Sequence, residues 1–209
     1  MKRGAKGLLA AAAIFVAVVV SVARITWVND NAVRVPEERF EVGEWVDFDG
    51  AFVSSGQENT DGYSLRVAHA RIMSCKDYLA QYASEEAAEA LSDETGEVVV
   101  LEIDVSNSGN SDGYMNYKSW RLSPPSKNAA YYIDYDLWYQ AIPVLAEGKG
   151  RFGVTEGTTK TIYVPFWHFD SYEANMQGDF SSAMRADVPE GSYEFVFAHV
   201  PRYVVSFEV

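Results

Sequence analysis

Apolar and polar residues alternate along much of the chain. Between Val98 and Val105, Val99, Leu101, Ile103 and Val105 share one parity, while Glu102 and Asp104 share the other. A period of two residues predicts a half-buried strand. The run NSGNSDG at 107–113 is dense in turn formers and ends it. The same period recurs at Ile162, Val164 and Phe166, at Tyr193, Phe195 and Phe197, and at Tyr203, Val205, Phe207 and Val209. Pro165 inside the first of these predicts an edge position or a strand end.

Two further stretches alternate less cleanly. Tyr114 to Leu122 places Tyr114, Trp120 and Leu122 on one side with Lys118 on the same parity, and Pro124 and Pro125 follow. In Tyr131 to Tyr139, Tyr131, Ile133, Tyr135, Leu137 and Tyr139 form one set and Tyr132, Asp134, Asp136 and Trp138 the other. Turn-rich stretches, including 148–150 and 156–159, separate about eight such segments, the pattern of an all-β sandwich or barrel.

Residues 74–92, SCKDYLAQYASEEAAEALS, break the period. Leu79, Tyr82 and Ala83 fall at helical spacing. Ser74 with Asp77 resembles a capping box, and Ser84 before Glu85 and Glu86 resembles a second helix start. One or two short helices between strands are expected.

Residues 8–23 carry no charge and follow Lys2, Arg3 and Lys6, with Arg24 and Trp27 just beyond. A spanning helix needs roughly 20 mostly apolar residues, and flanking basic residues mark the cytoplasmic side. The expectation is a single-pass anchor in the cell membrane through residues 8–27, with the C-terminal body outside the cytoplasm. Ser21, Val22 and Ala23 keep open a cleaved signal peptide and secretion. The chain then divides into a leader at 1–28, a polar tether at 29–41 containing Pro36, and an extracytoplasmic domain at 42–209.

Hydrophobic residues make up 48% of the chain and aromatic residues 14%, enough for an ordered core rather than a disordered tail. After Arg24 the chain has 13 basic and 30 acidic residues, a net charge of −17. Such a body is repelled by phosphate backbones, which argues against nucleic acid as a partner. Cys75 is the only cysteine, so no intramolecular disulfide forms. It is expected to be buried.

The segments GEWVDFDGAFVSS at 43–55, ENTDGYSLRV at 58–67 and VVVLEIDVSNSGNSDG at 98–113 resemble the domain-of-unknown-function 5028 family of membrane-anchored proteins from gut actinobacteria. The alternating strand ending in Asn107 is similar to strands of bacterial immunoglobulin-like and telokin-like domains. The resemblance implies an immunoglobulin-like β-sandwich at the cell surface, to which the residues of 74–92 add a short helical insertion. It carries over no catalytic residue.

No G-x-S-x-G nucleophile motif occurs. The histidines are His69, His168 and His199, and His168 lies two residues from Asp170. That pair could orient an imidazole, but a histidine capping an aromatic cluster is the simpler expectation. No histidine or cysteine stands at the spacing a transition-metal site needs. Asn110, Asp112 and Gly113 are spaced as in a calcium loop, yet Ser108 and Ser119 would occupy its first and twelfth positions without charge. Asp47 and Asp49 offer a similarly thin calcium set. No cofactor is expected.

If Ile133, Tyr135 and Leu137 face the core, then Tyr132, Asp134, Asp136 and Trp138 face solvent and form a possible ligand-binding surface. The expected function is non-enzymatic binding of an envelope protein or glycan through an aromatic and acidic face. A structural or sensory accessory of a transport or secretion system, or a cryptic hydrolase, are the alternatives.

Overall fold

A computed structural model describes residues 2–32, 35–52, 58–90, 96–111, 113–126, 130–142, 150–168 and 187–209. The chain divides into two units, Met1–Val35 and Pro36–Val209. The first is a helix, α1 (Lys2–Asp30). Its stretch Ala12–Asp30 has a mean hydropathy of 1.9 and none of it is buried. At 1.5 Å per residue those residues span about 28 Å, close to the hydrocarbon thickness of a bilayer. This helix is long and apolar enough to cross a membrane, as an anchor or as a signal sequence.

The second unit is mainly β. Its strands are β1 (Glu37–Glu41), β2 (Val46–Asp47), β3 (Tyr63–Ser74), β4 (Glu97–Asn107), β5 (Met115–Asn116), β6 (Arg121–Ser123), β7 (Tyr131–Ile133), β8 (Arg151–Phe152), β9 (Thr158–His168), β10 (Ser192–His199) and β11 (Arg202–Glu208). Nine of them form one sheet in the order β1-β11-β10-β6-β7-β9-β4-β3-β2, while β5 and β8 form a separate ribbon. The long sheet curls until its two ends meet. Phe52 bridges Val200, and the Phe48 ring lies 5.7 Å from Phe197 and 6.4 Å from Tyr203. The concave face thereby encloses one core, which includes Leu65, Leu101, Ile103, Val164, Phe195 and Val205.

Among the described residues three helices interrupt the strands: α2 (Cys75–Tyr82), α3 (Glu85–Ala90) and α4 (Tyr135–Ala141). The expected caps are in place. Ser74 Oγ accepts from the Asp77 N–H at 3.0 Å, and Ser84 Oγ accepts from the Ala87 N–H at 3.2 Å. Cys75, Tyr78 and Leu79 of α2 pack with Leu137 of α4 on the convex face, against Val98 and Val100 of β4. The first half of β4 is therefore buried on both sides, which hides its alternation there.

Four expectations need correction. The tether is shorter than 29–41, because Glu37–Glu41 pairs in parallel with β11, from Glu37 opposite Arg202 to Glu41 opposite Ser206. A single inward ring, Phe40 against Tyr203 at 5.3 Å, and the Arg39–Glu194 ion pair at 2.8 Å hold this strand where no apolar alternation announces it. The Tyr114–Leu122 stretch divides as well. The Trp120 N–H donates to the Tyr117 carbonyl at 3.0 Å, and this turn between β5 and β6 leaves Lys118 exposed.

The stretch at 131–139 is a strand of three residues followed by α4. Asp134 is the N-cap, its Oδ1 accepting from the Leu137 N–H at 3.1 Å. Pro165, in turn, sits in a central strand rather than on an edge. It lies opposite Val100 on β4, while the β7 pairing stops one position away at Ile133–Phe166. The Pro165 carbonyl accepts from the Asp134 N–H at 2.9 Å. Proline has no N–H to return, so the Asp134 carbonyl instead accepts from Trp138 at 2.9 Å, the first bond of α4.

Candidate recognition site

The helix breaks up the expected surface of Tyr132, Asp134, Asp136 and Trp138. Tyr132 is 52% exposed and Asp136 is exposed, but Asp134 and Trp138 are 2% and 0% exposed. On a strand Asp134 and Trp138 would share the outward parity; on α4 the first caps the helix and the second turns into the core. The Trp138 ring meets Tyr117 edge-on at 4.8 Å. It is a core residue, and the four positions do not form one accessible face.

His69, His168 and His199 lie on β3, β9 and β10. The His168 ring packs on Tyr131 at 5.4 Å, and Tyr131 meets Tyr193 edge-on at 5.8 Å. Asp170 lies outside the described residues. Side-chain amides tie the loop after β4 to itself and to the turn before β3. Asn107 Oδ1 accepts from the Gly109 and Asn110 N–H groups, and Asn110 Nδ2 donates to the Asn59 and Asp61 carbonyls at 3.2 and 2.7 Å. Asp112 lies outside the described residues. Among the described residues no three His, Cys, Asp or Glu side chains gather closely enough to hold a metal ion.

A different surface combines exposure with fixed geometry. Alternation in Trp45-Val46-Asp47-Phe48 sends Val46 and Phe48 into the core at 2% and 0% exposure and leaves Trp45 outside at 40%. The Arg66 guanidinium of β3 lies 4.8 Å above the Trp45 ring. Arg66 is itself held by Asp104 of β4, through Nε at 3.1 Å and Nη2 at 2.6 Å. Thr161 of β9 donates its hydroxyl to the other Asp104 oxygen at 2.6 Å. Arg66, Asp104 and Thr161 occupy one row across β3, β4 and β9, so the sheet itself sets their spacing.

Burial pushes the Asp104 carboxyl upward, but the hydrogen bonds from Thr161 and Arg66, the Arg66 charge and nearby His69 outweigh it and hold the group below the usual carboxylate range. It is ionised at neutral pH, and the ion pair is permanent there. The exposed indole is thus buttressed by a guanidinium that cannot easily swing away. Arg66 Nη1 makes no hydrogen bond among the described residues and stays available to a ligand. Parity around Val46 and Phe48 was the sequence signal for this site; the Arg66–Asp104 pairing depends on a register that sequence does not reveal.

The geometry defines a mainly β unit with a polar and aromatic outer face. Residues 37–203, most of the chain, match the domain of unknown function DUF5028. The chain belongs to that family. No curated protein and no solved structure matches it.

Proposed function

We propose that the chain is a non-enzymatic recognition module, carried outside the cytoplasm on its N-terminal helix, that binds an envelope protein or glycan through the surface around Trp45. One observation carries this reading: Trp45 is kept exposed while Arg66 and Asp104 fix the cation that stacks on it. Tryptophan and arginine are the residues in which binding energy concentrates at interfaces, and a rigid ring loses little entropy when it is covered. The acidic body disfavours nucleic acid and anionic lipid as the ligand.

The test is a membrane crosslinking pulldown with the full chain and its Trp45→Ala variant. A partner recovered by the wild type and lost with Trp45→Ala, at a similar melting temperature, supports the reading. Equal recovery by both proteins overturns it.

A further inference from the structure

We propose that the outer edge of β3 beyond Val67 is a strand-addition site, and that its occupant is an extended segment of a protein partner in which apolar and acidic residues alternate. This edge lies past the Trp45 surface and stands independently of it.

One edge of β3 is paired with β4 along its whole length, from Tyr63 opposite Asn107 to Ser74 opposite Glu97. The other edge is covered only at its start. β2 pairs with Ser64 and Leu65, the Phe48 N–H donates to the Tyr63 carbonyl at 3.0 Å, and the Gly43 N–H donates to the Val67 carbonyl at 2.8 Å. These bonds fix the direction of the backbone groups, because successive residues of a strand turn their N–H and C=O to alternate edges. Tyr63, Leu65 and Val67 therefore face the outer edge. Ala68 is an extra residue, since Val67 lies opposite Ile103 and His69 opposite Glu102. After this bulge the outward set is Ala70 and Ile72, while Arg71, opposite Val100, turns its own groups to β4. No residue among those described pairs with the outward N–H and C=O groups of Ala70 and Ile72.

The side chains along this edge define what fits it. Ala70 and Ile72 are partly buried and pack on the core, as Phe40 and Val209 do, so a strand laid here would set its inward residues on an apolar seam. On the convex face stands Arg71. It is exposed, its guanidinium donates to the Tyr82 hydroxyl and lies 5.8 Å from the centroid of that ring, and no carboxylate pairs with it among the described residues. Its neighbour on β4 is the apolar Val100. A carboxylate on the added strand would supply the missing partner, and cross-strand pairs of opposite charge are favourable. A second copy of the chain fits less well. The two-fold pairing that matches Ala70 with Ile72 sets Arg71 against Arg71, and like charges directly opposite are destabilising. A row of unpaired backbone groups is a template for a strand from another chain, whose alternate side chains then set the specificity.

Amide hydrogen exchange, read by NMR on the full chain in detergent micelles, tests this with two acetylated and amidated peptides: Thr-Val-Glu-Val-Glu-Val-Thr and its counterpart with lysine in place of both glutamates. Without peptide, the Arg71 and Met73 amides, bonded to β4, are expected to exchange slowly and those of Ala70 and Ile72 quickly. The glutamate peptide should slow Ala70 and Ile72 by about tenfold or more, and the lysine peptide at the same concentration should not. Arg71→Glu should reverse that preference. Ala70→Pro removes one outward N–H and none of the bonds to β4, so it should keep Tm within a few degrees and weaken peptide binding about tenfold. Fast exchange that neither peptide slows overturns the proposal, as does equal slowing by both peptides or slow exchange at Ala70 and Ile72 before any peptide is added. If that last protection grows with protein concentration alongside a dimer in sedimentation, the occupant is a second copy and not a partner. Should Ala70→Pro fail to fold, the wild-type exchange and the charge reversal at Arg71 decide the question on their own.

Discussion

Arg66 gives two of its nitrogens, Nε at 3.1 Å and Nη2 at 2.6 Å, to the same oxygen of Asp104, Oδ2. The second carboxylate oxygen is thereby left to the Thr161 hydroxyl. Three neighbouring strands are joined on the convex face by one carboxylate.

The consequence with pH has a definite sign. The folded-state pKa of Asp104 is lowered, so its contribution is fully present above the unfolded value of about 3.9 and is lost as pH falls through the folded value. Thermal melts from pH 7 down to pH 2 should show a steeper acid decline for the wild type than for Asp104→Asn. At pH 7 that variant should lose about 1–2 kcal/mol, a figure already reduced for the partial exposure of Arg66. Parallel pH profiles for the two proteins would show that the pair contributes nothing measurable.

Ile103 and Glu102 are adjacent and should respond oppositely to charge. Ile103 is 0% exposed, and Ile103→Asp would bury an unpaired carboxylate in the core, abolishing cooperative unfolding. Glu102→Lys, on the convex face, should change stability by no more than about 0.5 kcal/mol. Denaturant melts of both variants read this directly, and similar midpoints would reverse the assignment of the two faces.

The two tryptophans should separate in the same way. Trp138→Ala removes a fully buried ring and is expected to cost about 3–5 kcal/mol, or a fall of roughly 10 °C in Tm for a chain of this size. Trp45→Ala should move Tm by only a few degrees. Differential scanning calorimetry of the pair would expose an error if the ranking reversed.

Asp134 can be tested as a cap. Asp134→Ala should lose about 1–2 kcal/mol, whereas Asp134→Asn, which keeps an acceptor for the Leu137 N–H, should retain most of that stability. Chemical denaturation distinguishes them, and equal losses would mean that the charge matters more than the cap.

The leader can be checked by mass. If the helix is kept as an anchor, intact-mass measurement of protein from the membrane fraction should include residues 1–28. A mature chain starting at Arg24 would leave secretion as the route.

Legibility followed how burial is distributed. β9, β10, β11 and the second half of β4 could be read because one face of each is core and their inward residues alternate. α2 could be read from Ser74 and Asp77, whose capping is local chemistry. The segment at 131–139 could not, because its regular tyrosines satisfy a strand period by coincidence. Neighbouring Leu137 and Trp138 are both buried, which a half-exposed strand cannot achieve and a helix wedged between the sheet and α2 can. Asp134 followed by Asp136 was the available sign of a helix start. β1 stayed hidden because long-range pairing to β11 and cross-strand ions hold it, and neither has a local signature.

Pro165 shows how an absence can place a secondary structure element. One hydrogen atom missing from a central strand withholds the reciprocal bond that would have extended β7 by another residue. The carbonyl of Asp134, released from the sheet, becomes the first acceptor of a helix. Trp138, which sheet parity would have turned toward solvent, is instead rotated into the interior. The boundary between strand and helix in one segment is thus written in another segment about thirty residues away, and a change at Pro165 could redraw the surface without touching any residue on it.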